Sequence, residues 1–248
     1  MRLNGKRAII TGAASGFGAG IARKFVAEGA QVMIVDLNHD GAMGVAEELG
    51  QGSFGSAANV ADKADVARVV KEAREVMGGV DLLVNNAGVT HLPAPMEDIS
   101  EEDFDRVFAV NCKSIYLFAR ELAPIMKEQG SGSILNVSST AGLSPRPNLS
   151  WYNASKGWVN VATKTMAVEL APSGVRVNAI NPVAGETPLL SSFMGQDTPE
   201  MRAKFLATIP LGRFSTPEDM ANAACFLCSD EASMITGVCM EVDGGRCI

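Results

Sequence analysis

Two histidines in 248 residues, His39 and His91, are too few and too isolated for a histidine-based metal cluster. Cysteine offers little more. Cys112, Cys225, Cys228, Cys239 and Cys247 are odd in number and show no disulfide framework. Cys225 and Cys228 form a CxxC, but inside the apolar helical stretch Ala-Asn-Ala-Ala-Cys-Phe-Leu-Cys, with no second ligand pair nearby, so they read as small buried hydrophobes. No metal is expected. Runs of lysine or arginine are missing and the net charge is −7, which argues against a nucleic-acid partner. No apolar run is long enough to cross a membrane, so a membrane partner is not expected either. Strand-like sequence begins within the first ten residues, so no leader is expected and the chain reads as cytoplasmic. Neither a GxSxG nucleophile elbow nor a GxxxxGKS/T phosphate loop occurs. No linker rich in proline, serine or charge divides the chain.

Alanine, valine and glycine dominate the apolar fraction and aromatics are 6%, a mix suited to helices packed on a parallel sheet. Strands are predicted at Arg7–Ile10, Gln31–Val35, Ser53–Ala57, Asp81–Val84, Ser133–Val137, Val175–Ile180 and Val238–Val242. Helical sequence lies between them: to Glu28, to Leu49, from Asp62 to Met77, from Glu102 to Lys127, from Trp151 to Leu170, and from Pro217. Asp62 is the expected cap of its helix, with Asp65 three residues on as in a capping box. Residues 188–208 read as an irregular, partly helical insertion. This alternation predicts right-handed βαβ units in an α/β fold: one Rossmann-like domain over 1–248, doubly wound, its mostly parallel sheet covered by helices on both faces. Ligands then bind beyond the carboxyl ends of the strands.

Three features fall at those ends. Thr11-Gly12-Ala13-Ala14-Ser15-Gly16-Phe17-Gly18 follows the first strand and opens a helix. Its glycines permit a tight turn and close approach to a pyrophosphate, and the helix start offers free N–H groups; a plain tight turn is the alternative. Asp36 closes the second strand, where a carboxylate accepts both ribose hydroxyls of NAD and repels a 2′-phosphate. Neither Ser15 nor Leu37 brings the positive charge that NADP would need. Tyr152 and Lys156 stand one helical turn apart, so both leave the same helix face. A phenol of pKa about 10 is a poor base at neutral pH, and lowering it by roughly three units takes about 4 kcal/mol from its surroundings. The lysine would supply part of that in a partly desolvated pocket; a tyrosine packed on a lysine stem is the alternative.

TGxxxGxG at 11–18, Asn85-Asn86-Ala87-Gly88 after the fourth strand, Tyr152-xxx-Lys156 and Asn178-Ala179-Ile180-Asn181-Pro182 together resemble the short-chain dehydrogenase/reductase family, in its shorter single-domain branch. The likeness runs from Gly5 to the terminal Val-Asp-Gly-Gly. It implies an NAD-dependent enzyme interconverting a secondary alcohol and a ketone. Tyr152 matches the general acid/base. Lys156 matches the lysine that tunes the tyrosine and holds the nicotinamide ribose. Ser139, thirteen residues before the tyrosine, matches the serine that holds the substrate oxygen; strand alternation selects it over Ser138. Asn111 matches the asparagine that helps anchor a water linking lysine to solvent, with a buried amide tying two strands together as its alternative. For the cofactor, the resemblance implies contacts from Gly12, Ser15, Gly16, Phe17 and Gly18, from Asp36 and Leu37, and from Asn59 and Val60. Asn85, Asn86, Ala87 and Gly88, Tyr152 and Lys156, and Pro182 and Thr187 complete that set. Two positions depart from the family pattern: Asn59 replaces its usual aspartate facing the adenine, and Val183 replaces the glycine after the proline, which restricts the nicotinamide-side loop.

The expected substrate lid, about 187–214, carries Leu189, Leu190, Phe193, Met194, Phe205 and Leu206, a stripe that fits either an apolar substrate or its own packing. Arg146 could meet an anionic group or be a solvated or interface arginine, and His91 could rim the pocket or sit in a surface loop. A 3-oxoacyl-thioester reductase and a sugar dehydrogenase are the alternatives within the family. A sensor that binds NAD without turnover is the alternative from another class, disfavoured because Asn111, Ser139, Tyr152 and Lys156 are all present. Relatives are commonly homotetramers that pair the helices at 102–127 and 151–170.

Overall fold

Valine, isoleucine and leucine fill short runs buried on both faces, the pattern of strands covered by helices on either side. The computed structural model describes all residues, 1–248. In chain order its main elements are β1 (Arg7–Thr11), α1 (Gly16–Ala27), β2 (Gln31–Asp36), α2 (His39–Leu49), β3 (Ser53–Ala57), α3 (Lys63–Met77), β4 (Leu82–Asn85), α4 (Glu101–Phe108), α5 (Ser114–Gln129), β5 (Gly132–Val137), α6 (Ser150–Leu170), β6 (Val175–Pro182), α7 (Leu189–Met194), α8 (Pro199–Leu206), α9 (Pro217–Cys228) and β7 (Cys239–Val242). The seven strands form one sheet in the order β3-β2-β1-β4-β5-β6-β7, every pair parallel. Strand order reverses direction between β1 and β4, which opens a crevice at their carboxyl ends.

Alternation along each strand splits the core in two. Ala8, Ile10, Val32 and Ile34 face α1, α2 and α9, while Ile9, Met33, Val35 and Leu83 face α3, α5 and the end of α6. Close approach of α1 to α9 is possible because position 20 is glycine; a Cβ there would lie 2.6 Å from Pro217 Cβ. Cys225 and Cys228 are buried in the α1–α9 core as free thiols.

Two local expectations need correction. The helix expected over 102–127 is broken by a π turn at Ala109–Lys113. The extra residue in that turn lets Asn111 and Cys112, adjacent in sequence, both point inward, and a buried amide with partners on either side favours it. At α3, Asp62 caps Ala64 N and Asp65 N, but Asp65 does not return the bond. Its carboxylate instead accepts from Asn59 N, so it braces the turn after β3.

Candidate active site

A cleft of about 450 Å³ opens at the carboxyl ends of β1, β2, β4 and β5, and lined along one side by the glycine loop. Asn86 builds that loop from across the crevice: its amide donates to Thr11 O (2.8 Å) and Gly12 O (2.9 Å). Gly12 has φ +62°, and a Cβ there would lie 2.8 Å from Ala87 Cα. A Cβ at Gly18 would lie 2.5 Å from the Asn86 amide, so no larger residue fits either place. Five helices close their first turn with a side chain, from Asn38, Asp62, Ser100, Thr198 or Thr216. The N-cap of α1, Ser15, makes no such bond, and its first turn holds no acid. Free N–H groups and the positive dipole end therefore face the cleft, the arrangement that receives a phosphate.

Ser15, Gly16, Phe17, Asp36, Leu37, Asn59, Val60, Asn86, Ala87, Gly88, Tyr152, Lys156, Pro182 and Thr187 all line this cleft. Asp36 is fixed by Ala14 N and Asn38 N, both at 3.0 Å, one on each carboxylate oxygen. Each oxygen keeps a lone-pair direction for a further donor. Asn59 accepts from Ala61 N through Oδ1, which leaves its NH2 as the free group. The neighbouring Asn85 does not line the cleft. It is buried, and its amide donates to Asn136 Oδ1 (2.9 Å), whose own amide donates to Thr163. Alternation at the end of β4 turns Asn85 into the sheet and Asn86 out of it.

At the inner end of the cleft stand the phenol and the amine. Lys156 is buried and its Nζ donates to Val137 O at 2.9 Å; it lies 5.9 Å from the centre of the Tyr152 ring. Burial lowers its pKa to about 8, which keeps it largely protonated at neutral pH. Burial pushes the Tyr152 phenol up, with the neighbouring Ser139 hydroxyl pulling it back. The two adjacent serines divide their tasks. Ser138 Oγ donates to Lys156 O at 3.0 Å and so fastens β5 to α6, while Ser139 shares an adjoining chamber with Tyr152, Leu190 and Phe193. Asn111 spends both amide protons, on Val89 O (2.9 Å) and Ser155 Oγ (3.0 Å), and accepts from Val89 N. Its side chain thus braces the segment after β4 against α6, and a Cβ at Gly88 would touch both Lys156 Nζ and Asn111 Oδ1 at about 3.4 to 3.5 Å.

The lid divides its apolar residues. Leu190 and Met194 join Val183, Ile209 and Phe214 in a small core of their own, and Leu190 also lines the chamber beside Leu189 and Phe193. Val183 is therefore accommodated as core, 4% exposed. His91 lies neither at the rim nor in a surface loop: it is 1% exposed, with Nδ1 2.8 Å from Leu92 O. No three histidine, cysteine or acidic side chains come together as a metal site.

A model of the family described as Enoyl-(Acyl carrier protein) reductase matches residues 12–246. With the glycine loop, the Tyr152–Lys156 pair and the sheet order in place, that match settles kinship. The chain belongs to the short-chain dehydrogenase/reductase family. It is similar to 4-formylbenzenesulfonate dehydrogenase of Comamonas testosteroni, 50% identical over 250 residues that take in 99% of each chain. It is also similar to 3-oxoacyl-acyl-carrier-protein reductase of Thermotoga maritima, 42% identical over 252 residues and the whole of both chains. Among solved structures, 3-ketoacyl-acyl-carrier-protein reductase from Brucella melitensis complexed with NADH superposes with a TM-score of 0.95. It is 52% identical, over 99% of this chain and 100% of that one.

Sequence reasoning missed the apolar wall of the cleft, Ala58, Val89, Val110 and Val137, because alanines and valines look alike in a core and in a pocket. Only their place beside strand ends could have marked them. The buried amine has a measurable consequence. Unfolded, Lys156 would hold its proton up to its ordinary 10.5, and folded only to about 8, so the folded state pays about 3 kcal/mol below that lower value. The cost fades as pH rises between the two values, where the unfolded chain binds the extra proton. Lys156→Met is expected to be more stable than the parent at neutral pH and to lose that advantage across this window. Denaturation midpoints at several pH values measure it; a variant less stable than the parent at neutral pH contradicts it.

Proposed function

We propose that this protein is an NAD(H)-dependent oxidoreductase that interconverts a secondary alcohol with the corresponding ketone. One observation carries this reading: the Tyr152 phenol, the Ser139 hydroxyl and the Lys156 ammonium meet where the cleft joins the apolar chamber. The residues present suit a dinucleotide. The open start of α1 and the Gly12–Gly18 cradle suit the pyrophosphate, and Asp36 suits the two ribose hydroxyls of NAD. The names of relatives, dehydrogenases and reductases including one solved with NADH, agree.

Bound NAD(H) would supply the hydride acceptor or donor. The chain's own groups handle the proton and the charge. In oxidation, Tyr152 as phenolate takes the carbinol proton; in reduction it returns a proton to the carbonyl oxygen. Ser139 donates a hydrogen bond to that same oxygen and stabilises the charge that develops there. Lys156, charged and 5.9 Å from the ring centre, favours the phenolate and so opposes the upward push of burial. It also stands where it can hold the nicotinamide ribose. Asn111 is a positioning residue, since it bonds protein groups with both of its amide protons. Pro182 and Thr187 line the cleft and would bound the nicotinamide side.

For assembly we propose a homotetramer. Tyr116 on α5 and Trp158, Val161 and Val168 on α6 are 40–77% exposed, more apolar surface than two helices facing water need. A protomer mass by light scattering at micromolar concentration overturns it. We place the enzyme in the cytoplasm; no helix is long and apolar enough to cross a membrane.

Tyr152→Phe is expected to reduce NAD-linked turnover of secondary alcohols by roughly a thousandfold, within the span of acid–base catalysis, while NADH binding persists. Equal loss of binding and turnover would make Tyr152 structural. The double change Asp36→Asn with Leu37→Arg should move the NAD/NADP ratio of kcat/KM toward NADP by at least tenfold. An unchanged ratio would remove Asp36 from the ribose site.

A further inference from the structure

Seven arginines of this chain hold a carboxylate. Arg176 donates to three carbonyls, and Arg74 and Arg120 lie exposed to water. Arg146 is different. It is half-buried in the loop between β5 and α6, yet its guanidinium makes no hydrogen bond or ion pair within the protein. It lies over Phe205 of α8, 4.1 Å from the ring centre, and 5.8 Å from the centre of Phe193. Phe193 is set edge-on to Tyr152 with ring centres 5.5 Å apart. One ring of the chamber lining, Phe193, therefore neighbours both the phenol and the guanidinium.

A second cation approaches from the chain end. Arg246 reaches Ser144 Oγ at 3.4 Å, two residues before Arg146, and its Nε is buried without a partner. Burial first, and then the charge of Arg246, lower the Arg146 pKa to about 10. The one buried carboxylate of that segment, Asp243, is occupied by Gly245 N and Cys247 N. Stacking on Phe205 alone would make Arg146 a latch for the lid, but a latch gains nothing from a second arginine at its back. Two converging cations with free N–H groups and no carboxylate bonded to either are costly unless an anion joins them. A guanidinium stacked on a ring keeps its donor edges in plane, free to hold an oxyanion through two bonds.

We propose that Arg146, backed by Arg246, is a specificity site for the carboxylate or sulfonate of an alcohol or ketone whose apolar body lies along Phe193. This rests on the alcohol–carbonyl reading of the site for its chemistry, though not for its charge. The substrate then has a secondary carbinol or ketone at Tyr152 and Ser139, an aromatic or alicyclic middle, and an oxyanion at the arginine end.

The test compares 1-phenylethanol with 4-(1-hydroxyethyl)benzoate and 4-(1-hydroxyethyl)benzenesulfonate, which share the carbinol and differ only in the distal charge. With NAD, the parent enzyme should favour at least one anion by tenfold or more in kcat/KM. Arg146→Met should bring that ratio close to parity, chiefly through KM of the anion, and Arg146→Lys should keep part of it. Parity in the parent, or a preference that survives Arg146→Met, overturns the proposal. Calorimetric binding of acetophenone and its 4-carboxylate and 4-sulfonate to the NAD-loaded protein, pairs that cannot react, separates the two readings. If nothing turns over but an anionic ketone still binds at least tenfold more tightly, the charge site stands and the oxidoreductase reading fails. Equal binding of all three removes the anion site.

Discussion

A charged amine enclosed by protein, with one carbonyl for a partner, is the constraint around which the site is arranged. Lys156 Nζ bonds Val137 O, the last residue of β5, and so ties α6 to the sheet at the point where the cleft begins. The residues around it keep that tie in place. Ser138 holds the Lys156 carbonyl, and Gly142 lets the next turn lie against the Lys156 backbone, where a Cβ would come within 2.7 Å. Gly88 leaves room beside Nζ, and Asn111 braces α6 from the far side through Ser155. A buried ammonium is a poor choice for stability. Its retention here makes sense as chemistry: the same burial that raises the phenol's pKa gives the neighbouring positive charge a longer reach.

Much of this was legible in the sequence, because each motif is a local rule tied to a strand end. The glycine loop, Asp36, Ser139, Tyr152 and Lys156 could be placed once the strands were counted, since alternation and the doubly wound order put them along the cleft and the chamber that adjoins it. What stayed hidden depends on contacts between distant segments. A π turn leaves no mark in helical periodicity; it follows from Asn111 finding Val89 and Ser155, which only the folded chain brings near. Asn85 and Asn86 read alike as neighbours, and only the strand's end decides which turns inward. The burial of His91 and the approach of Arg246 to the loop before α6 are likewise products of tertiary folding.

The lid shows how one stripe of sequence serves two ends. Leu190 and Met194 give it an anchor with Ile209 and Phe214, while Leu189, Leu190 and Phe193 line the chamber. The chain end packs beneath it: Cβ atoms at Gly244 and Gly245 would meet Ile209 and Pro210 at 2.8 and 3.1 Å. The walls of the chamber come from the glycine loop, the ends of β5 and β6, the start of α6 and the lid. The lid's share of those walls can vary while Ser139, Tyr152 and Lys156 stay fixed.

The ladder between β4 and β5 has a further meaning. Leu82, Leu83, Val84 and Asn85 pair with Ser133, Ile134, Leu135 and Asn136, and the last pair is joined by its side chains as well. Upstream of that seam lies most of the groove for a nucleotide; downstream lie the phenol, the hydroxyl and the amine. Neither half is a working unit, and four residue pairs fix the distance between them. The seam is therefore the gauge of the machine: a shift of one residue in its register would change that spacing and turn the side chains of one strand to the opposite face of the sheet.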